Sequence, residues 1–241
     1  MNKQRLDKIL FQTGLASSRS QAENYIRLGK VTVNKKVVQK AGYAVGPDDV
    51  VDITTNQTYV SRAGLKLASV SESFKLDFTE KIVLDIGSST GGFTDYALQH
   101  GAQKVYAVDV GTNQLHPSLR QNTKIELHEK TDIRNFYTDQ HIDLIVGDVS
   151  FISLREILPH VAKHLMNEQT ILVAMVKPQF EAGKDQVNKG VIKNAKIRRQ
   201  ILNDFEIWAK QYFVILDKKD SEVAGAKGNV ERFYKTRLAR K

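Results

Sequence analysis

The chain has 241 residues, 41% of them hydrophobic and 26% charged, a balance that suits one large or two unequal soluble domains with a buried core. It contains no cysteine, which excludes disulfides, thiolate metal sites and thiol nucleophiles. A net charge of +9 favours a polyanionic partner, the longest wholly apolar run, Ile171–Val176, falls far short of the ~20 residues that span a bilayer, and no apolar leader follows Met1, so cytoplasmic residence is expected.

Leu6, Ile9 and Leu10 recur at helical spacing, and Ala22, Tyr25 and Ile26 repeat the pattern behind Ser17-Ser18-Arg19-Ser20. Ser18 or Ser20 is the expected N-cap of that second helix, and Gly29 its stop. Short strands are expected at Val31–Val33, Val37–Val38 and Asp49–Ile53, around turns at Asn34-Lys35-Lys36 and Gly46-Pro47-Asp48. Arg5-Leu6-Asp7, Ser18–Ala22, Ile26, Gly29–Asn34 and Val50–Ile53 resemble, in order, the S-four-type RNA-binding module, with Asp48-Asp49-Val50 where Gly-Asp-Val is more usual. The resemblance implies an RNA partner. Arg5, Arg19, Arg27, Lys30, Lys35 and Lys36, with Arg62 just beyond, are the cations expected at its phosphates.

The chain divides near residues 53–62, giving a small α+β RNA-binding unit over 1–58, a linker and lead-in helix over 59–80, and an α/β unit over 81–241. From residue 81 strands and helices alternate: strand Ile82–Ile86, helix Phe93–His100, strands Val105–Val110, Ile125–His128 and Ile142–Gly147, helix Leu154–Leu165, strand Thr170–Val176, helix from about Ala195 to Tyr212. A last pair, Tyr212–Leu216 and Arg232–Leu238, is expected as an antiparallel hairpin at the sheet edge. The pattern implies a mostly parallel, Rossmann-like sheet with ligands beyond the carboxyl ends of its strands. Two basic runs, Lys184, Lys189, Lys193, Lys196, Arg198 and Arg199, then Lys227, Arg232, Lys235, Arg237, Arg240 and Lys241, suit a solvated face and a polyanion contact equally well.

Asp85-Ile86-Gly87-Ser88-Ser89-Thr90-Gly91-Gly92-Phe93 joins a strand to a helix through a glycine turn, and Asp109 follows at close to the ~20-residue offset at which a second carboxylate meets ribose hydroxyls. The glycines are expected to let the backbone approach a ligand. A dinucleotide fingerprint needs glycine where Ser89 stands, and Asp85 sits badly beside a pyrophosphate but well beside a positive amino-acid group. S-adenosylmethionine fits that description. The expected cofactor residues are Asp85, Gly87, Ser89, Thr90, Gly91, Gly92, Phe93 and Asp109, with Asp132 and Asp148.

Lys66 before the first strand, Asp148 after the fourth, Lys177 after the fifth and Glu231 ahead of the last place two lysines and two carboxylates where one cleft can gather them. Each alone has an ordinary structural use, such as a helix N-terminal charge for Asp148 or an ion pair with Arg232 for Glu231. Tyr59–Leu67, Asp85–Phe93, Val108–Leu115, Asp148–Leu154, Val176–Glu181 and Gly228–Glu231 together strongly resemble the TlyA-type haemolysin and rRNA methyltransferase family, in which an S-four-type domain precedes an FtsJ-like methyltransferase domain. The resemblance implies ribose 2′-O-methylation of ribosomal RNA, on a cytidine, with S-adenosylmethionine as donor and Lys66, Asp148, Lys177 and Glu231 as the catalytic set. Departures lie at Asp132, Ile192-Lys193-Asn194, Ser221-Glu222 and Gly225-Ala226.

In that reading Lys177 takes or orients the hydroxyl proton, Lys66 positions the ribose, and the carboxylates orient the lysines and balance their charge. No metal is expected, since no His/Asp cluster has ligand spacing and His116, His128 and His141 stand isolated. Two other functions stay open: a membrane-active haemolysin, for which an apolar segment is missing, and a small-molecule methyltransferase with an RNA tether, which leaves the second lysine and Glu231 idle.

Overall fold

The computed structural model describes residues 3–16, 19–27, 29–53, 59–183, 190–192, 194–223 and 228–239. The chain forms two compact units, Met1–Thr58 and Tyr59–Lys241. Ser18, and Lys184, Lys189, Lys193, Lys227, Arg240 and Lys241 of the basic runs, lie outside the described residues, as do Gly225-Ala226.

In the first unit, β1 (Gln4–Arg5) leads into α1 (Leu6–Gln12) and α2 (Arg19–Arg27), followed by β2 (Val31–Val33), β3 (Lys36–Val37), β4 (Ala44–Val45) and β5 (Val51–Ile53). β2 is the centre of a three-stranded sheet, antiparallel to β3 and β5, while β1 pairs with β4. Leu6, Leu10, Tyr25, Ile26, Val31 and Val33 form its core, the helical and alternating positions of the sequence pattern. Ser20 lies inside α2 and so is not its cap. The helix ends in paired bonds, Gly29 N–H to the Ile26 carbonyl and Lys30 N–H to that of Tyr25.

Asp7 is buried beneath Arg5 and Arg19, accepting from Arg5 Nε at 2.9 Å and from Arg19 Nη2 at 2.7 Å. The Arg5 guanidinium, followed by that of Arg19, pulls the carboxyl down to about 2 against the opposing effect of burial. Two of the arginines expected at RNA phosphates, Arg5 and Arg19, therefore carry a structural bond as well, though half of each side chain stays exposed. Arg27, Lys35 and Lys36 are exposed and Lys30 half-buried. Lys35 sits in a two-residue hairpin loop in which both Asn34 and Lys35 have positive φ.

The second unit opens with α3 (Arg62–Ser71), capped by the Ser61 hydroxyl, and continues through β6 (Ile82–Ile86), α4 (Gly92–Gln99), β7 (Lys104–Val108), α5 (Pro117–Arg120) and β8 (Ile125–His128). Then come β9 (Leu144–Gly147), α6 (Leu154–His164), β10 (Ile171–Val176), α7 (Pro178–Glu181), α8 (Ala195–Ala209), β11 (Phe213–Asp220) and β12 (Arg232–Leu238). The seven strands run in the order β11-β12-β10-β9-β6-β7-β8, parallel from β10 to β8 and antiparallel on both sides of β12.

Successive strand residues face opposite layers. Val83, Val173 and Phe233 join the core with α3 and α4, while Leu84, Leu172 and Tyr234 join the core with α6 and α8. The expected hairpin forms, with one correction: only β11 is at the edge, and β12 lies inside the sheet between β11 and β10. β11 also runs on to Asp220, past a bulge between Ile215 and Asp217, so its charged second half forms ladder bonds that its composition alone does not announce. Strands leave β6 in both directions, and this reversal opens a crevice at the carboxyl ends of β6 and β9.

Candidate active site

Asp85, the next-to-last residue of β6, is 1% exposed. One oxygen, Oδ2, accepts from Thr94 N–H at 2.9 Å and from the Thr94 hydroxyl at 2.7 Å, while Oδ1 has no partner among the described residues. Burial raises this carboxyl to about 7 despite the two bonds from Thr94. Ser88 Oγ is likewise buried without a partner. Unpartnered polar atoms of this kind are rare in folded proteins and leave bonding capacity for a water, an ion or a ligand.

At Gly87, φ is +77° and a side chain would press on the Asp148 carbonyl at 3.1 Å, so the glycine lets the turn after β6 lie against the loop after β9. Gly92 serves a different contact from the one expected: a Cβ there would strike Ala63 and Gly64 of α3. It lets α3 lie close to α4. Gly91 likewise faces the Leu115 and Leu119 side chains, and Phe93 turns into the core against Phe233. Thr90 is exposed, and its carbonyl accepts from His116 N–H.

A cleft of about 400 Å³ lies between these turns, bordered by Gly87, Ser89, Asp109, Asp132 and Asp148 of the expected cofactor set. Val110, Ile133 and Ile152 add apolar wall. The size and the mixed lining suit a nucleoside-bearing ligand. Asp109 already accepts from Ser89 N–H at 2.8 Å and Gly111 N–H at 2.6 Å, which holds the glycine turn to the end of β7 and leaves lone pairs facing the cleft. Asp132 is clamped by the Arg134 guanidinium at 2.6 and 3.0 Å, which holds its carboxyl below the usual range.

The two lysines and two carboxylates resolve into two ion pairs. Lys66 Nζ on α3 lies 2.5 Å from Glu231 Oε2, with side chains 10% and 4% exposed. Lys177 Nζ lies 2.5 Å from Asp148 Oδ1 and donates to Ser150 Oγ at 2.7 Å. The Ser150 contact is the aligned hydrogen bond, and the Asp148 contact is a charge pair whose angles fall outside one. The pairs are neighbours through the sheet: the register Val176↔Arg232, continued by one residue, sets Lys177 opposite Glu231. Asp148 follows β9, which pairs with β10 on its other side.

Three residues that sequence reasoning left without a role belong to the same region. Ser150 holds Lys177. Phe151, at φ +66°, is 92% exposed and leans on Phe180 with ring centroids 5.3 Å apart. Glu181 buries its carboxylate against the start of α6, accepting from the Ser153 hydroxyl at 2.6 Å and Leu154 N–H at 2.7 Å, and burial raises its carboxyl above the ordinary value. Arg62 sits half-buried in the first turn of α3. Among the described residues no group of three histidine or carboxylate side chains is arranged to hold a metal ion.

Residues 59–237 match the model of the FtsJ-like methyltransferase family, and residues 4–51 that of the S4 domain. Hemolysin A of Brachyspira hyodysenteriae is 40% identical over 94% of this chain and 97% of its own length. The 23S rRNA (cytidine-2′-O)-methyltransferase TlyA of Campylobacter jejuni is 44% identical over 74% of this chain and 71% of its own. Among solved structures, a candidate hemolysin from Streptococcus thermophilus superposes with a TM-score of 0.78 at 36% identity, covering 100% of this chain and 90% of that one.

Proposed function

The chain belongs to the FtsJ-like methyltransferase family, and on that premise we propose that it transfers a methyl group from S-adenosylmethionine to the 2′-hydroxyl of a cytidine ribose in ribosomal RNA. The observation that carries the proposal is the pair of buried lysine–carboxylate contacts, Lys66 with Glu231 and Lys177 with Asp148, at neighbouring strand ends beside the cleft. The haemolysin name of one relative gives these four residues no task.

S-adenosylmethionine supplies an electrophilic methyl group when bound. Asp109 and Asp85, with Ser88, are the residues that would hold it, the first at ribose hydroxyls and the others by the bonding capacity that the fold leaves open. Lys177 orients the RNA 2′-hydroxyl for in-line attack and, once it has released its own proton to solvent, takes the hydroxyl proton as the new O–C bond forms and the carbon–sulfur bond of the donor breaks. Asp148 fixes where that nitrogen stands. Lys66, held by Glu231, positions the ribose. The first unit, residues 1–58, supplies phosphate contacts that hold RNA without reading its sequence. Residues 59–80 bring in Lys66, and residues 81–241 provide the rest of the transfer site. No helix among the described residues is long and apolar enough to cross a membrane, and a ribosomal substrate locates the protein in the cytoplasm.

The deciding experiment supplies labelled S-adenosylmethionine with ribosomal subunits and, separately, with protein-free ribosomal RNA, then locates the label. Methylation of a ribose 2′-oxygen, seen as a hydrolysis-resistant linkage 3′ of one cytidine, is expected. Label on a base, or on a small molecule only, refutes the proposal.

A further inference from the structure

The two halves of the Lys177–Asp148 pair come from segments that no backbone ladder joins. β9 and β10 pair from Leu144↔Ile171 to Gly147↔Ala174 and no further. Beyond that point, among the described residues, residues 148–154 and 177–181 meet through side chains: Lys177 with Asp148 and Ser150, Phe180 with Phe151, and Glu181 with Ser153 and Leu154. The first contact is redistributed when a hydroxyl arrives at Lys177, and the second is open to solvent. The third is dry, with the Glu181 side chain 1% exposed.

We infer that Glu181 is a positioning residue, whose buried carboxylate clasps the loop carrying Asp148 to the turn carrying Lys177 and thereby sets the geometry of that pair. The kinetic consequence rests on the proposed methyl transfer; the clasp rests on the contacts. A carboxylate suits the position because it offers two acceptors to two donors on consecutive residues, Ser153 and Leu154. The Ser153 hydroxyl passes the link on, accepting from Arg155 N–H at 3.1 Å while donating to Glu181. The amides at the start of α6 favour a negative charge there, and Arg155 Nε at 3.6 Å adds a weaker attraction. A buried carboxyl is costly wherever it lacks such partners. Here every one of these partners lies at the end of the loop that delivers Asp148 or in the first turn of α6 that follows it.

Single-turnover methyl transfer at saturating cofactor, with cofactor affinity and amide hydrogen exchange measured in parallel, tests the clasp in E181A, E181Q, S153A and V161A. Val161 is a core residue further along α6 and serves as a control for loss of stability. E181A is expected to lose roughly 10–100-fold in rate, as misplacement on the order of 1 Å does, with cofactor affinity kept and the Leu154 amide exchanging faster. S153A removes one of the two bonds and is expected to show a smaller loss in the same direction, which covers the case in which E181A does not fold. E181Q can accept from Leu154 N–H and donate to Ser153, so it is expected to recover to within about fivefold of the parent. V161A is expected to keep the parental rate. Parental rate and exchange in folded E181A, a loss in E181Q equal to that in E181A, or an equal loss in V161A overturns the inference. If the parent itself transfers no methyl group to RNA, the proposed reaction fails. Exchange at Leu154 then decides the clasp alone, supporting it if protection falls in E181A but not in V161A and overturning it otherwise.

Discussion

Glu231→Ala leaves the Lys66 ammonium in a site where it is 10% exposed and its carboxylate partner among the described residues, formerly 2.5 Å away, is gone. Breaking a buried ion pair from one side costs about 3–5 kcal/mol, because the remaining charge stays desolvated. That is a large share of the ~5–15 kcal/mol that holds an ordinary domain together. Removing both charges with Lys66→Met and Glu231→Leu takes away the stranded ion, and stability is expected to return to within about 1 kcal/mol of the parent. The chain has one tryptophan, Trp208, on α8 between Phe205 and Tyr212, so its fluorescence in urea follows the second unit without a signal from the first. The double variant is expected to unfold like the parent and to transfer no methyl groups, which separates what the pair does for the fold from what it does for the reaction. A Glu231→Ala loss under about 1 kcal/mol at an unchanged urea slope means that the lysine is solvated, and it refutes the argument. A double variant as unstable as the single one refutes it equally.

Lys177→Ala and Lys177→Arg are both expected to abolish single-turnover transfer while keeping cofactor affinity, since a guanidinium stays protonated and cannot take the hydroxyl proton; near-parental turnover by the arginine variant removes Lys177 as the base. Asp109→Ala is expected to weaken S-adenosylmethionine binding by about 1–3 kcal/mol through loss of a charged acceptor, and calorimetry showing parental affinity in a folded variant takes Asp109 out of the site. Asp85 bears on pH. Its carboxyl is raised to about 7 in the fold, against about 3.9 in an unfolded chain, so between these values the native state binds the extra proton. The stability of the ligand-free protein therefore falls as pH rises through that window and levels off above about 7. Asp85→Asn is expected to flatten this profile and to raise the urea midpoint at about pH 8 while weakening cofactor binding; a flat parental profile across the window counts against it.

The order of strands and helices along the chain was legible from apolar runs, helical spacing and their boundaries. The runs that became β6, β7, β9 and β10 are short and apolar with glycine or charged ends, and those features survive any tertiary context. Strand order is a different kind of information: β12 lies between β10 and β11 because Phe233 and Tyr234 bury opposite faces, and neither fact appears in a local window. The positions of Lys66, Asp148, Lys177 and Glu231 were legible through the family resemblance, but the way they pair was not. Arg19 looked like a free cation because Asp7 is near it in space and 12 residues away along the chain, whereas Arg5 stands 2 residues from Asp7 and its bond is a local one. The room that Gly91 gives to Leu115 and Leu119, and Gly92 to α3, was not legible, because a glycine in a turn does not say which neighbour needs the space. Glu181 stood in plain view in a quoted motif; its role needed the start of α6 beside it.

The carboxylate opposite Lys66 comes from 165 positions further along the chain, at the entry to the last described strand. As the protein is made, α3 and the parallel strands emerge first, with the lysine uncompensated and one flank of β10 bare. At ~5–20 residues per second, roughly 10–30 s separate the synthesis of the two partners. Nothing before the arrival of β12 holds the complete constellation, so a nascent chain that has not reached Glu231 lacks one of the four groups proposed for the transfer. A protein whose proposed target is the machine that builds it thus completes its candidate site only after α3 and the parallel strands have been made.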